Sequence, residues 1–321
     1  MVDYVSGSGS GIGSTGKPVE FSAPVFKQDV ASLCSALEAP YDESILDKIL
    51  DVYTENFRRG AVLWKATNRP KDGIAFRFYE RAKVEVVAPA IEANLLQADH
   101  PMIPLIRSWA DINDKAIASC DFDPAMGLNK TWIWLGGRPS IDELLKVPNV
   151  PESIRALGAQ FKEVGLDTVR HTAVDWRTST VNIYFWVNGE IDLEIANRLV
   201  GLSGGTALTK EKLDEIKSQL IPEGFTFATT INSATGNIER VAVYALRLDG
   251  NALPPVGERL ATFFQDAKSY DHKDINIVAW SFGRGEKGTK DYIKGERSYS
   301  GELNNVLQGW GSPLKPETAV A

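Results

Sequence analysis

Lys130-Thr131-Trp132-Ile133-Trp134-Leu135 has two unlike sides. In a β-strand, successive side chains point to opposite faces of the sheet. One face therefore carries Lys130, Trp132 and Trp134, and the other Thr131, Ile133 and Leu135. The same split recurs along the chain. Val181-Asn182-Ile183-Tyr184-Phe185 sets Asn182 and Tyr184 against Val181, Ile183 and Phe185. Arg240-Val241-Ala242-Val243-Tyr244 groups Arg240 with Ala242 and Tyr244, and Ala75-Phe76-Arg77-Phe78-Tyr79 groups Arg77 with Tyr79. Tyr292-Ile293-Lys294-Gly295-Glu296 groups Tyr292, Lys294 and Glu296. Each strand has one apolar face and one face of single cations and aromatic rings.

Helical patterns separate these strands. Within 42–58, Ile45, Leu46, Ile49, Leu50 and Tyr53 recur at helical spacing. Further helical stretches are expected at 27–39, 103–119, 152–164, 193–202, 210–220 and 255–267. Strand-like runs are expected at 61–66, 74–80, 130–135, 168–176, 180–187, 225–232, 237–248, 275–282 and 289–299. Residues 176–179 and 234–237 read as hairpin turns. The rhythm is helix, paired strands, helix, paired strands. It amounts to about five units of the ααββ type. Antiparallel pairs exclude a doubly wound parallel sheet. The helices must cover something, and the apolar strand faces are what they would cover. The mixed faces are then left to line the inside of a closed sheet. The competing reading is an open antiparallel sheet with that face in water. Water-facing strands usually carry Lys, Glu, Thr and Gln rather than Trp132, Trp134, Tyr184 and Tyr244. The expected architecture is therefore α+β: a closed antiparallel barrel, helices outside, active site in the lumen.

Of the 321 residues, 43% are hydrophobic and 24% charged, with a net charge of -7. This is the composition of a globular protein with a sizeable core. An acidic total excludes a general nucleic-acid binder, although not a local basic cavity. Cys34 and Cys120 are too few for a disulfide framework, so a reduced, cytoplasmic setting is expected. No apolar run approaches the roughly 20 residues of a membrane span. The chain reads as one domain over 21–312, monomeric, between a flexible Gly/Ser tail at 1–20 and a flexible tail at 313–321.

The N-terminal tail contains a G-x-G-x-x-G pattern at Gly11, Gly13 and Gly16, followed by Lys17. Such glycines bind phosphate only between a buried strand and a helix N-terminus. Too few residues precede them for a central strand, and Pro18 stands where a magnesium-holding Ser or Thr would be. A nucleotide-dependent enzyme remains a rival reading on this motif alone. Asp111-Ile112-Asn113-Asp114 is a truncated single approach to the Asp-rich motif of farnesyl-type synthases, and reads as a solvated helix turn.

A lumen of cations and rings suits one chemistry well. Crowded Lys and Arg repel one another unless an anion joins them, and diphosphate is the fitting partner. Aromatic faces stabilise a nearby cation by about 0.5–2 kcal/mol each. Diphosphate at one end and a carbocation cage beyond it describe allyl transfer. The non-enzyme alternative is a barrel that only binds an aromatic or isoprenoid ligand.

Four motifs, in order over about residues 60 to 300, carry a resemblance to a known family. They are Asn129-Lys130-Thr131-Trp132, then Val174-Asp175-Trp176 with Val181-Asn182-Ile183-Tyr184-Phe185, then Thr235-Gly236-Asn237-Ile238-Glu239-Arg240, then Tyr292-Ile293-Lys294. The chain resembles the ABBA aromatic prenyltransferases, whose prenyltransferase barrel has ten antiparallel strands ringed by helices. It is most similar to their magnesium-independent phenol, phenazine and naphthalene-diol group. The resemblance implies transfer of a dimethylallyl or other short prenyl group from its diphosphate to an electron-rich aromatic small molecule. It implies that Lys130, Asn182, Arg240 and Lys294 hold the diphosphate. Tyr184 is implied to shield the allyl group, with Trp132 and Tyr244 as further rings. Arg170, His171 and Tyr299 are implied to line the acceptor pocket. Glu296 is implied to accept or orient the acceptor's O–H or N–H, and a positioned carboxylate can take a proton in the transition state. An ordinary ion pair with Arg297 or Lys294 is the plainer role for Glu296, and a packed neutral ring the plainer role for His171. Where magnesium-dependent members have an aspartate, this chain has Arg77, which is implied to neutralise the diphosphate in place of the metal. Asp121 matches a second metal-associated acid, but with Arg77 present no metal and no cofactor is expected. Thr178 matches a phosphate-binding lysine of the family's hairpin, so that contact is missing. The bulky side chains Trp64, Trp132 and Trp134 read as a wall that favours a short donor.

Overall fold

A computed structural model describes residues 20–285 and 288–316, so the glycine-rich 6–17 segment lies outside the described residues. Ten strands form one closed antiparallel barrel. They are β1 (Ala61–Thr67), β2 (Ala75–Tyr79), β3 (Ile117–Asp123), β4 (Gly127–Trp134), β5 (Thr168–Asp175), β6 (Thr180–Asn188), β7 (Gly224–Asn232), β8 (Ile238–Leu248), β9 (Asn276–Phe282) and β10 (Tyr292–Ser300). Each pairs with the next in sequence, and β10 closes the ring on β1, with Thr67 opposite Lys294. Closure removes the unpaired edges of an open sheet.

Helices α1 (Ala23–Ala36) and α2 (Glu43–Arg59) precede the first hairpin, and α3 (Val87–Glu92) and α4 (Ile103–Ala110) the second. The third follows α5 (Ile141–Lys146), α6 (Glu152–Arg155) and α7 (Gly158–Glu163). The fourth follows α8 (Leu193–Gly201) and α9 (Lys210–Lys217), and the fifth α10 (Glu258–Asp266). The helix-then-hairpin unit thus recurs five times around the barrel. A last helix, α11 (Leu303–Gly309), follows β10. No described helix is long and apolar enough to cross a membrane.

Helix α2 shows how local sequence sets an element. Asp42 caps its N-terminus, accepting from the Ser44 and Ile45 backbone N–H groups. Arg58 and Arg59 complement the dipole in the last turn. Leu46, Ile49, Leu50, Tyr53 and Phe57 form its buried stripe, which packs on the barrel. The layer between barrel and helices is rich in rings. Phe26 of α1 stacks on Trp64 of β1 at 5.1 Å between centroids, and Tyr299 of β10 meets Trp64 edge-on at 4.9 Å. Gly295 of β10 lets α10 approach this face, because a Cβ there would meet the Phe264 ring at 2.8 Å.

Four expectations need correction. The helix expected over 103–119 stops at Ala110, and Ile117–Asp123 is strand β3. Asn113 ends the helical run: its side chain accepts from the Lys115 N–H and donates to Leu135 O. Tyr299 is not in the acceptor pocket. It stands on the outer face of β10, buried among Phe26, Trp64 and Tyr270, with its hydroxyl 3.0 Å from Asp29. It stands five positions after Lys294 and three after Glu296, odd offsets, so the pleat turns it the other way. Trp64 shares that outer layer, donating its N–H to Lys268 O at 2.8 Å, and is no part of a lumen wall. Residues 313–316 are not a loose tail: Leu314 bridges Leu246, and Lys315 binds Leu246 O, Ser218 O and Gln219.

Candidate active site

The lumen has a cationic end and an aromatic end. Lys130 on β4 lies 3.1 Å from both the Asp175 carboxylate and the Asn182 side-chain oxygen. The Asn182 amide donates to Thr230 at 2.6 Å, and Arg240 on β8 donates to the same hydroxyl at 3.2 Å. Asn182 therefore braces Lys130 and Thr230 with both ends of its side chain. Lys294 on β10 reaches the Tyr244 hydroxyl at 3.3 Å. Burial, with Arg240, Lys130 and Lys65 close by, pulls the Lys294 ammonium well below its usual range. Burial also pulls Lys130 down, against Asp175 and in concert with Lys65 and Arg240. Four cations from four strands thus face one space, and burial together with the neighbouring cations disfavours the charge of Lys130 and Lys294. Such an arrangement is relieved by a multivalent anion.

Lys65 went unremarked in the sequence reading. It lies on the Leu63-Lys65-Thr67 face of β1, and the same alternation that placed Lys130 could have found it. Its ammonium is 2.6 Å from Asp121 on β3. Asp121 also takes two contacts from Arg77, one from Nε and one from Nη2 at 3.2 Å. Burial pushes the Asp121 carboxyl up, but Arg77 and Lys65 outweigh it and hold that group below the usual carboxylate range. Burial opposes the Arg77 charge, and Asp121, Tyr79 and Glu296 more than restore it.

Arg77 links the two ends. Its guanidinium carbon sits 3.8 Å from the Trp132 ring centre, it donates to the Tyr79 hydroxyl, and it lies 3.8 Å from Glu296. Trp132 packs on Tyr184 at 4.5 Å, and Tyr184 lies 5.8 Å from Tyr244. Glu296 is 4% exposed and faces this ring cluster. It does not pair with Arg297, which points outward to Asp274. The cavity among these groups measures about 50 Å³.

Arg170 and His171 are consecutive, yet both line that cavity. Strict alternation forbids this. The pairing of β5 with β6 runs Val169 to Phe185 and then His171 to Tyr184, so Arg170 is an extra, bulged residue. A bulge re-aims one side chain onto its neighbour's face. Burial, with Arg138 nearby, pulls the Arg170 guanidinium down to about 10. Burial, with Arg170 and Arg77, holds the His171 ring well below its usual range and so neutral. His171 packs between Tyr184 and Trp310 at 6.2 and 5.7 Å. Of the residues expected at the site, the structure brings Arg77, Lys130, Trp132, Arg170, His171, Asn182, Tyr184, Arg240, Tyr244, Lys294 and Glu296 to one lumen and leaves out Tyr299.

The described residues hold no cluster of three or more His, Cys, Asp or Glu able to ligate a metal. Asp121 already faces two cations, Arg77 and Lys65.

Comparison with known proteins gives this lumen its relatives. An "Aromatic prenyltransferase" of Talaromyces marneffei is 57% identical over 296 residues, 92% of this chain and 81% of that protein. The 4-hydroxyphenylpyruvate 3-dimethylallyltransferase of Streptomyces niveus is 37% identical over 292 residues, 91% of this chain and 89% of that protein. The solved structure of a 6-dimethylallyl tryptophan synthase overlays on 93% of this chain and 100% of its own, with a TM-score of 0.50 at 11% identity, a likeness of fold. A family profile described as "Aromatic prenyltransferase Orf2" matches residues 21–311. That span covers the whole barrel and the helix that follows it, so the chain belongs to the Orf2 family of aromatic prenyltransferases.

Proposed function

We propose that this prenyltransferase moves a dimethylallyl group from its diphosphate to an electron-rich aromatic carbon, with no metal ion in the reaction. The observation that carries the reading is the convergence of Lys65, Lys130, Arg240 and Lys294 at one end of a lumen whose next layer is Trp132, Tyr184 and Tyr244. The cations take up the charge that develops on the leaving diphosphate, the largest electrostatic contribution to such a step. The allylic C–O bond breaks, and its electron pair leaves with the diphosphate. The allyl cation lies against the three rings. An aromatic carbon attacks it, forming the C–C bond, and the resulting arenium ion loses its proton to Glu296 or to the diphosphate. Enclosure within the barrel keeps out water, which would otherwise capture the cation.

Three findings support the details. The Streptomyces niveus relative is named for dimethylallyl transfer, which favours the short donor here. Arg77 and Lys65 occupy the Asp121 carboxylate, so fixed side-chain charge stands where a metal would need an open acid. Both cysteines are free and buried, in keeping with a reducing, cytoplasmic setting.

The test is an assay of EDTA-treated enzyme with dimethylallyl diphosphate and a panel of phenols and naphthalene-diols, with products identified by mass spectrometry. Turnover is expected to persist in EDTA. Lys130→Ala and Arg240→Ala should each lower kcat by about 10²–10³-fold, as for loss of one preorganised charge-stabilising group. Unchanged rates in both variants would overturn the cation-cage reading, and full loss in EDTA the metal-free one.

A further inference from the structure

The walls of the lumen cavity are of two kinds. Arg77, Trp132, Tyr184, Tyr244 and Glu296 stand on barrel strands that are hydrogen-bonded on both sides. Leu307 and Ser312 also line the cavity, but they belong to α11 and the residues after it. This segment folds back across the inner end of the barrel. Leu303, Val306 and Leu307 pack there with Ala61 and Leu63 of β1. Trp310 stacks flat on Trp134 at 5.0 Å and meets Tyr79 edge-on at 5.2 Å.

Beyond the short Leu314–Leu246 bridge and the Lys315 N–H bond to Leu246 O, the segment hangs on side chains. Arg138 donates to Gly311 O at 3.0 Å. Arg170 donates to Trp310 O and to the Ser312 hydroxyl, both at 3.0 Å. Arg247 donates to Lys315 O at 2.6 Å. On its outward side, Asn304, Lys315 and Pro316 line a groove of about 640 Å³. A single layer of chain therefore separates the inner lumen from the outside.

The inner cavity is far smaller than the ~300–1,000 Å³ of a typical small-molecule site. To admit a ring, some wall must yield. A barrel strand yields only by breaking its ladder on both sides. The end wall yields by exchanging guanidinium–carbonyl contacts, opening at most one short bridge at Leu314, and turning a leucine.

We propose that Leu307, backed by Trp310, is the specificity-determining residue for the size of the aromatic acceptor. Its side chain sets how deep a ring can sit beyond Tyr184 and Glu296, and Arg170 is the positioning residue that holds the wall in place. The proposal deepens the reading of the lumen as the site of aromatic prenylation and rests on it.

The test is a competition assay with dimethylallyl diphosphate and two acceptors, a one-ring phenol and a three-ring phenol, comparing wild type with Leu307→Ala and Leu307→Phe. Leu307→Ala should shift the kcat/KM ratio toward the three-ring acceptor by roughly tenfold, the scale of a few methyl groups in an apolar pocket. Leu307→Phe should shift the ratio the other way, and in both variants the KM for the diphosphate should stay near that of wild type. A ratio unchanged in both, with both melting like wild type, would overturn the proposal. Should Leu307→Ala unfold, Ser312→Ala and Ser312→Leu probe the same wall from its other side, and an unchanged ratio there overturns it equally. A wild type that prenylates no arene would sink the transfer reading instead. Arene affinities measured by calorimetry, taken as the same ratio, would still decide the role of the wall.

Discussion

Trp64 and Trp132 are the same residue type on the same barrel, facing opposite ways. Trp64 is fully buried against Phe26 and Tyr299, and its N–H has a partner in Lys268 O. Trp132 is nearly as buried, yet its N–H has no hydrogen-bond partner among the described residues and its ring face holds the Arg77 guanidinium. An unmet buried N–H costs about 1–3 kcal/mol. The Trp134 N–H and the Thr226 hydroxyl share that condition on the lumen side. Around Trp64 the outer layer is tightly packed with the ring N–H satisfied, and so stabilises the fold, although unmet donors also occur in that layer at Trp109 and Thr172. The inner surface leaves donors and ring faces open, and so is made to be completed by a ligand.

The sharpest way to break that comparison is by truncation. Trp64→Ala should destabilise the protein by about 3–5 kcal/mol in chemical denaturation, the usual loss for a large ring removed from a packed core. Trp132→Ala should move the midpoint far less. Equal losses would mean that the two faces are not energetically distinct. Glu296→Gln keeps the shape and removes the proton acceptor. It should lower kcat by about a hundredfold, the low end for a general base, with little change in the KM for the diphosphate. Retained turnover would assign the proton to the departing diphosphate instead. Trp132→Leu keeps an apolar wall without the ring face, and should slow turnover by up to about thirtyfold, since one cation–π contact is worth about 0.5–2 kcal/mol.

The smallest effect is a pH linkage. Lys130 and Lys294 have ammonium groups held below their usual value of 10.5. Between that depressed range and 10.5, the free folded chain binds fewer protons than the unfolded one. Stability without ligand should therefore rise with pH across that window. Diphosphate restores the charge, so its binding should take up a fraction of a proton and weaken as pH rises. Calorimetry of pyrophosphate binding in two buffers of different ionisation enthalpy reads this directly. Lys294→Arg, which stays charged, should reduce the uptake. An unaltered uptake in that variant would move the linkage to Lys130.

Much of the lumen was legible because regular strands have a period of two. Lys130, Asn182, Arg240 and Glu296 fall on polar faces that the alternation identifies before any fold is known. It failed for physical reasons particular to each case. The Arg170 bulge places two neighbours on one face, which no simple period can show. Tyr299 carried an expectation from family resemblance that its own parity contradicts. Strand β3, Ile117-Ala118-Ser119-Cys120-Asp121-Phe122-Asp123, has one β-branched residue and follows directly on a helical pattern, so its strand character comes from pairing with β2 and β4. The end wall was invisible. Nothing in Leu303–Gly309 announces that it turns back under the barrel, because the groups that hold it there come from Arg138, Arg170 and Arg247, far away in sequence.

Closure of β10 onto β1 also bears on how the chain folds. The first strand cannot complete its hydrogen bonds until nearly the last residues of the domain have been synthesised, since Thr67 pairs with Lys294 and Val62 with Ser300. Contacts this distant in sequence slow folding, and they leave a growing sheet with two open edges on the ribosome. Local hairpins and their covering helices can form in turn, but the ring seals late and in one step. A chain cut short before β10 should expose the β1 edge and aggregate, even with the first four units intact.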